Sequence, residues 1–139
     1  MEKFTAKDYP LTAKRGNDIT TPTGKKLNDI TLDKVLNGEI NADDIRISPE
    51  TLEMQAQIAE SMNRDAIARN FRRAAELISV PDDRILEMYN ALRPYRSTKE
   101  DLYVIADELE HKYGAKINAD FVREAAGVYE ERKKLRTEE

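Results

Sequence analysis

The sequence predicts a mainly α fold, an irregular multi-helix domain with an extended N-terminal arm. Three observations point to it. Charged residues occupy 36% of the 139 positions and aromatic ones only 6%, a composition of solvated helices rather than of a β-sandwich. From about residue 49 onward, apolar residues recur every three to four positions, the period of a helix buried on one side. Helix starts and stops are also written into residues 48–98, with Ser48-Pro49, Val80-Pro81-Asp82-Asp83 and Pro94 as punctuation.

Residues 1–30 hold Pro10, Gly16, Pro22 and Gly24 without a sustained period of either kind. They are predicted to form the arm, with at most a brief strand, anchored by Tyr9 and Leu11. Residues 31–139 form the helical domain. Thr31 caps a short helix that Gly38 terminates in a left-handed conformation, and Asn41–Asp44 forms one more helical turn. Ile45-Arg46-Ile47 alternates but is too short for a strand.

The first long helix runs from Pro49 to about Met62. Its apolar side, Leu52, Ala56, Ala59 and Met62, is thin and suits close helix–helix approach. The second covers about Asp65 to Ser79, with Ile67, Phe71, Ala74 or Ala75, and Ile78 inward and Arg69, Arg72, Arg73 and Glu76 off that face. The third, Asp82 to Leu92, buries Ile85, Leu86, Tyr89 and Leu92. Ser97 and Glu100 form a capping box for a helix that Gly114 stops after Tyr113. Leu102, Ile105 or Ala106, Leu109 and Tyr113 are its inner face. Asn118 caps the last helix, whose inner face is Val122, Ala125 or Ala126, and Tyr129. The charged tail ERKKLRTEE is expected to fray.

Catalytic signatures do not emerge. His111, the single histidine, lies between Glu110 and Lys112 on a solvated face, and the chain has no cysteine. A zinc or iron site wants several grouped His or Cys ligands, and nucleophilic triads need a positioned base. The pairs Asp43-Asp44 and Asp82-Asp83 sit at helix starts, where capping and dipole compensation account for them. The five glycines are scattered singly, so no phosphate loop forms. No catalytic, cofactor-binding or metal-binding residue is assigned.

The net charge is −4, which argues against a nucleic-acid partner. No apolar run approaches the roughly 20 residues of a membrane span. The N-terminus lacks the apolar core of a secretory signal, so a cytoplasmic location is expected.

Seven arginines fall between positions 64 and 96, where no lysine occurs. Arginine without lysine suits a protein interface, because guanidinium groups make bidentate pairs and stack on aromatic rings. The alternative is a solvated face with intrachain ion pairs such as Arg72–Glu76. Arg93-Pro94-Tyr95-Arg96 reads as a rigid exposed corner. The candidate interface residues are Tyr9, Arg69, Arg72, Arg73, Arg93, Tyr95 and Arg96.

The segments DIRISPETL (Asp44–Leu52), NFRRAAEL (Asn70–Leu77) and VPDDRILEMYNALRPYRST (Val80–Thr98) resemble the small (gamma) subunit of adenosylcobalamin-dependent glycerol and diol dehydratases. The likeness extends from Asp8-Tyr9-Pro10-Leu11 to REAAGVYEERKKL, nearly the whole chain. It implies an assembly with large (alpha) and medium (beta) subunits, commonly a dimer of heterotrimers. Adenosylcobalamin is then held by those two chains, and the small subunit packs on the large one without supplying catalytic groups. It also implies that the arm wraps a partner. Thr21-Pro22-Thr23-Gly24-Lys25 resembles the glycerol-type version, so glycerol is the expected substrate and propane-1,2-diol the alternative. Seven residues precede Asp8, short of the N-terminal segment that relatives in protein microcompartments often carry, which makes a microcompartment lumen the secondary expectation.

Overall fold

A computed structural model describes residues 2–137. The described residues are mainly α-helical and contain no strand, only one isolated antiparallel bridge between Thr20 and Lys26. The chain divides into two compact units, Met1–Ala75 and Glu76–Glu139.

The first unit holds α1 (Leu11–Arg15), α2 (Leu32–Leu36), α3 (Pro49–Ser61) and most of α4 (Asp65–Leu77). The extended arm expected over residues 1–30 is not what the structure shows there. Thr5 and Asp8 form a reciprocal capping box around a 3-10 turn at Ala6–Asp8, α1 follows, and further turns lie at Gly16–Asp18 and Leu27–Asp29. Phe4 and Leu11 are buried with Ile58 of α3, flanked by Ile19 and Met54. The Phe4 and Ala6 amides donate to Gln57 Oε1 and Ser61 Oγ on α3 at 2.9 and 2.8 Å. Elements of a single turn leave no period in the sequence, which is why the segment read as irregular.

A buried carboxylate organises the loops that follow. Asp44 is 1% exposed. It accepts from the Asn41 amide at 2.8 Å, from Lys25 Nζ at 2.9 Å and from the Thr23 hydroxyl. These donors stabilise the charged form and hold the Asp44 carboxyl down at about 2, the Thr23 hydroxyl contributing most. Asn41 and Asp44 also complete the capping box of the turn Ala42–Ile45, as the helical turn expected there requires.

Ser48 caps α3 through the Thr51 amide, and Pro49 opens the helix. Ala56, Ala59 and Ala68 pack together where α3 meets α4, with Phe71 beside them. Above this small-residue contact, Arg72 forks onto Glu53 at 2.9 and 3.0 Å and also donates to Glu60. Arg72 holds the Glu60 carboxyl at about 2. The Arg72–Glu76 pair read from the spacing does not form, because the guanidinium reaches across to α3 instead.

The second unit contains α5 (Asp82–Ala91), α6 (Lys99–Tyr113) and α7 (Lys116–Glu131). Its core joins Val80 and Met88 to Leu102, Ile105, Ala106 and Leu109 of α6 and Ala119, Val122 and Ala126 of α7. Gly114, at φ +65°, closes α6 as anticipated. The α6 capping box is shifted by one residue from the expected pair: Thr98 and Asp101 form it. Ser97 is buried and donates to the Ala91 carbonyl at 2.8 Å.

Asn118 does not cap α7; it lies inside the first turn. The first-turn amides of Ile117 and Asn118 donate to the Glu76 carboxylate at 3.0 Å each, and Asn118 Nδ2 adds a bond at 2.8 Å. A carboxylate from 41 residues upstream thus satisfies the positive end of α7. The tail is held rather than frayed through Arg136. Leu135 packs on the core, the Arg136 amide donates to the Ser97 carbonyl at 2.9 Å, and its guanidinium pairs with Asp101 at 3.0 Å. Glu138 and Glu139 lie outside the described residues.

Glu76→Ala should destabilise the second unit by about 1–3 kcal/mol, since it removes the carboxylate that accepts from two backbone amides and from Asn118 Nδ2; urea melts followed by α-helical circular dichroism measure this. An acid titration tests the first unit. The Asp44 and Glu60 carboxyls lie below their ordinary 3.8 and 4.5, so their stabilisation is complete above those values and is lost as pH falls towards about 2. Melting temperature should drop between about pH 4.5 and 2, and Asp44→Asn should lower it at neutral pH while flattening that acid-side slope.

Candidate functional site

The arginines fall into two groups. Arg72 is committed to Glu53 and Glu60. Arg84 on α5 forks onto Glu108 of α6, with Nε and Nη2 at 3.1 and 2.5 Å, and pairs with Glu87 at 2.6 Å. Arg123 ties α7 to Asp107 and Glu110 at 2.8 and 2.7 Å. Partner carboxylates push all three guanidinium groups further towards the charged form. These are internal staples.

Arg64, Arg69, Arg93 and Arg96 differ. They are exposed, and among the described residues none of their side chains has an ion pair within 4.0 Å. Arg73 is half-buried, with Asn70 Oδ1 at 3.5 Å from its Nη1. Of the predicted interface residues, Arg72 is therefore turned inward to a structural task. Arg69, Arg93 and Arg96 remain available to a partner.

The corner Arg93-Pro94-Tyr95-Arg96 is built by the tail. Tyr95 sits at φ +66°, left-handed backbone that a non-glycine residue adopts at a cost. Its amide donates to the Lys134 carbonyl at 2.7 Å, and Lys134 Nζ donates back to the phenol oxygen at 2.7 Å while lying over the ring. The ring stays 57% exposed. Tyr9, 69% exposed, lies in the first unit at the start of a groove formed with α3 and α4.

Two further residues extend the corner and were missed by sequence reasoning. Leu86 and Tyr89 were expected inward on α5. They are 63% and 69% exposed; Ile85 and Leu92 are half-buried on the core side as expected, and Met88 is buried where Leu86 and Tyr89 are not. Leu86, Tyr89 and Arg93 follow one another at three- and four-residue spacing, so they share a face of α5 and its C-terminal extension. A helix with apolar residues on both sides gives a broad apolar arc, and the arc alone does not tell which part turns inward.

His111 is exposed on the last turn of α6, and among the described residues no group of three His, Cys, Asp or Glu side chains could hold a metal ion. Among the same residues no helix is long and apolar enough to cross a membrane.

The dehydratase small subunit family profile matches residues 4–136. A propanediol dehydratase small subunit of Salmonella typhimurium is 62% identical over 93% of this chain and 75% of its own length. A propanediol dehydratase small subunit of Citrobacter freundii is 60% identical over the same shares. With nearly every described element inside the matched region, the chain belongs to the dehydratase small subunit family.

Proposed function

We propose that this chain is the non-catalytic small subunit of an adenosylcobalamin-dependent diol dehydratase, and that it packs on and stabilises the large catalytic subunit. The observation that carries the reading is 60–62% identity along 93% of the chain to two propanediol dehydratase small subunits. Exposed, unpaired arginines beside aromatic rings supply a surface of interface composition. The assembly proposed contains large and medium chains, as a dimer of heterotrimers, and lies in the cytoplasm.

The preferred substrate is propane-1,2-diol rather than the glycerol expected from the motif at Thr21–Lys25. Both named relatives are propanediol enzymes. The motif has a local task that is independent of substrate, because Thr23 and Lys25 lock Asp44. The overall reaction implied converts the diol to an aldehyde and water, with adenosylcobalamin supplying the radical chemistry in the assembled enzyme.

We place adenosylcobalamin on the large and medium chains. The groove of about 600 Å³ in the first unit is lined mainly by apolar residues and has no histidine. A second depression nearby, about 710 Å³, is walled by Glu2, Lys3, Glu50, Glu53 and Arg72 among others. Neither lining carries a histidine, the single one in the chain being His111. No chemical step is therefore assigned to residues of this chain; its contribution is to hold the catalytic chain in working shape.

Reconstitution tests the proposal. Cognate large and medium chains expressed with this one should dehydrate propane-1,2-diol faster than glycerol, and omission of this chain should abolish or strongly lower activity. Full activity without it would refute the reading. Arg93→Ala with Arg96→Ala should leave helix content unchanged and weaken association by about 2 kcal/mol, roughly thirtyfold, measured by sedimentation of the mixed chains.

A further inference from the structure

The groove of the first unit has a composition that its own fold does not explain. Its walls come from three places. Gln55, Ile58, Ala59 and Met62 follow one face of α3, Arg64, Ile67 and Phe71 follow one face of α4 and the residue before it, and Tyr9 to Thr12 form the third side. The floor is closed, with Leu11, Ile58 and Ala59 all buried. The rims are open, with Met62 52% and Ile67 44% exposed. At about 600 Å³ it has the size of a ligand site but lacks the enclosure that buries most of a small molecule.

One charge marks it. Arg64 is the only ionisable basic residue in the lining, and no carboxylate lines the groove. Among the described residues its guanidinium has no ion pair. The backbone fixes its position: Asn63 is left-handed at φ +57°, and the Arg64 amide donates to the Ala59 carbonyl at 2.9 Å. A cation just before α4 is also the unfavourable sign for that end of a helix. An apolar trough with an uncompensated guanidinium at its edge complements an apolar side chain with a carboxylate close by.

We infer that this groove receives a short segment of a partner dehydratase chain, in which a bulky aliphatic or aromatic side chain fills the trough and a neighbouring Asp or Glu pairs with Arg64. The inference rests on the subunit reading above. A second copy of this chain is the poorer occupant, because a two-fold contact through the groove would set one Arg64 against the other. An open trough with exposed rims suits a polymer segment, which is held from both ends, better than a small molecule.

The test uses the full chain co-expressed with its cognate large and medium chains and recovered through a tag on the large one. Arg64→Glu and Ile67→Asp should each reduce recovery at least tenfold, with Arg64→Lys retaining most of it and circular dichroism unchanged. A photo-crosslinking residue at position 62 in the assembled complex should mark a partner peptide containing Asp or Glu. This second measurement decides the matter should a substitution disturb folding. Wild-type recovery by both disruptive variants would overturn the groove while leaving the subunit reading intact. Crosslinks only to another copy of this chain, or a small molecule retained by the purified chain in native mass spectrometry, would overturn it too. Failure of the wild-type chain to assemble at all would overturn the subunit reading and this inference with it.

Discussion

Helices in both units meet over alanine. Ala56, Ala59 and Ala68 make the α3–α4 contact, and Ala106, Ala115, Ala119 and Ala126 fill much of the α6–α7 core. Small side chains let helix axes approach closely, but each buries little apolar area, at about 25 cal/mol per Å². The bulk of the core in the second unit comes from a few larger residues such as Leu102, Leu109 and Met88. Large apolar side chains remain outside in consequence: Leu32 and Leu36 on α2, Leu86 and Tyr89 on α5, Val104 on α6. A fold built this way leaves apolar area for association that a freestanding domain of the same size would tend to bury.

Thin apolar contacts place more of the burden on directed polar bonds. Each unit has its own set. In the first, Arg72 clamps α4 to α3 and Asp44 gathers Thr23, Lys25 and the Asn41 turn. In the second, Glu76 caps α7 and Arg84 and Arg123 bridge neighbouring helices. A half-buried bidentate pair is worth more than a solvated one, because the fork is pre-organised and partly shielded from water. The same residue type thus performs two tasks, and only geometry separates them. Arg72 and Arg93 are indistinguishable by composition, yet one faces two carboxylates and the other faces solvent.

This explains what could be read in the sequence. Helix existence was legible wherever a run of two turns or more carried its own start and stop, as at Ser48-Pro49, Val80-Pro81 and Gly114. Caps supplied from a distance were not: Glu76 reaches α7 across 41 residues, and no local pattern announces it. The first thirty residues failed for a related reason, since 3-10 turns of three residues are too short to show a period. The inward side of α5 was misjudged because both Met88 and the pair Leu86–Tyr89 satisfy helical spacing. Arginine without lysine marked a set of residues in the sequence, but the pairing of Arg72 with Glu53 and Glu60 became visible only once its carboxylates were located.

The corner at Tyr95 is exacting about structure. Holding a tyrosine in the left-handed region costs free energy that nothing local returns. The cost is met by the tail, through the Lys134 carbonyl and ammonium, by Leu135 in the core and by Arg136 on Ser97 and Asp101. The result is an aromatic ring presented at fixed orientation between two unpaired guanidinium groups. Association loses less entropy when the contacting side chains are already ordered. A tail that docks on the corner therefore puts folding stability of the second unit into holding that ring in place.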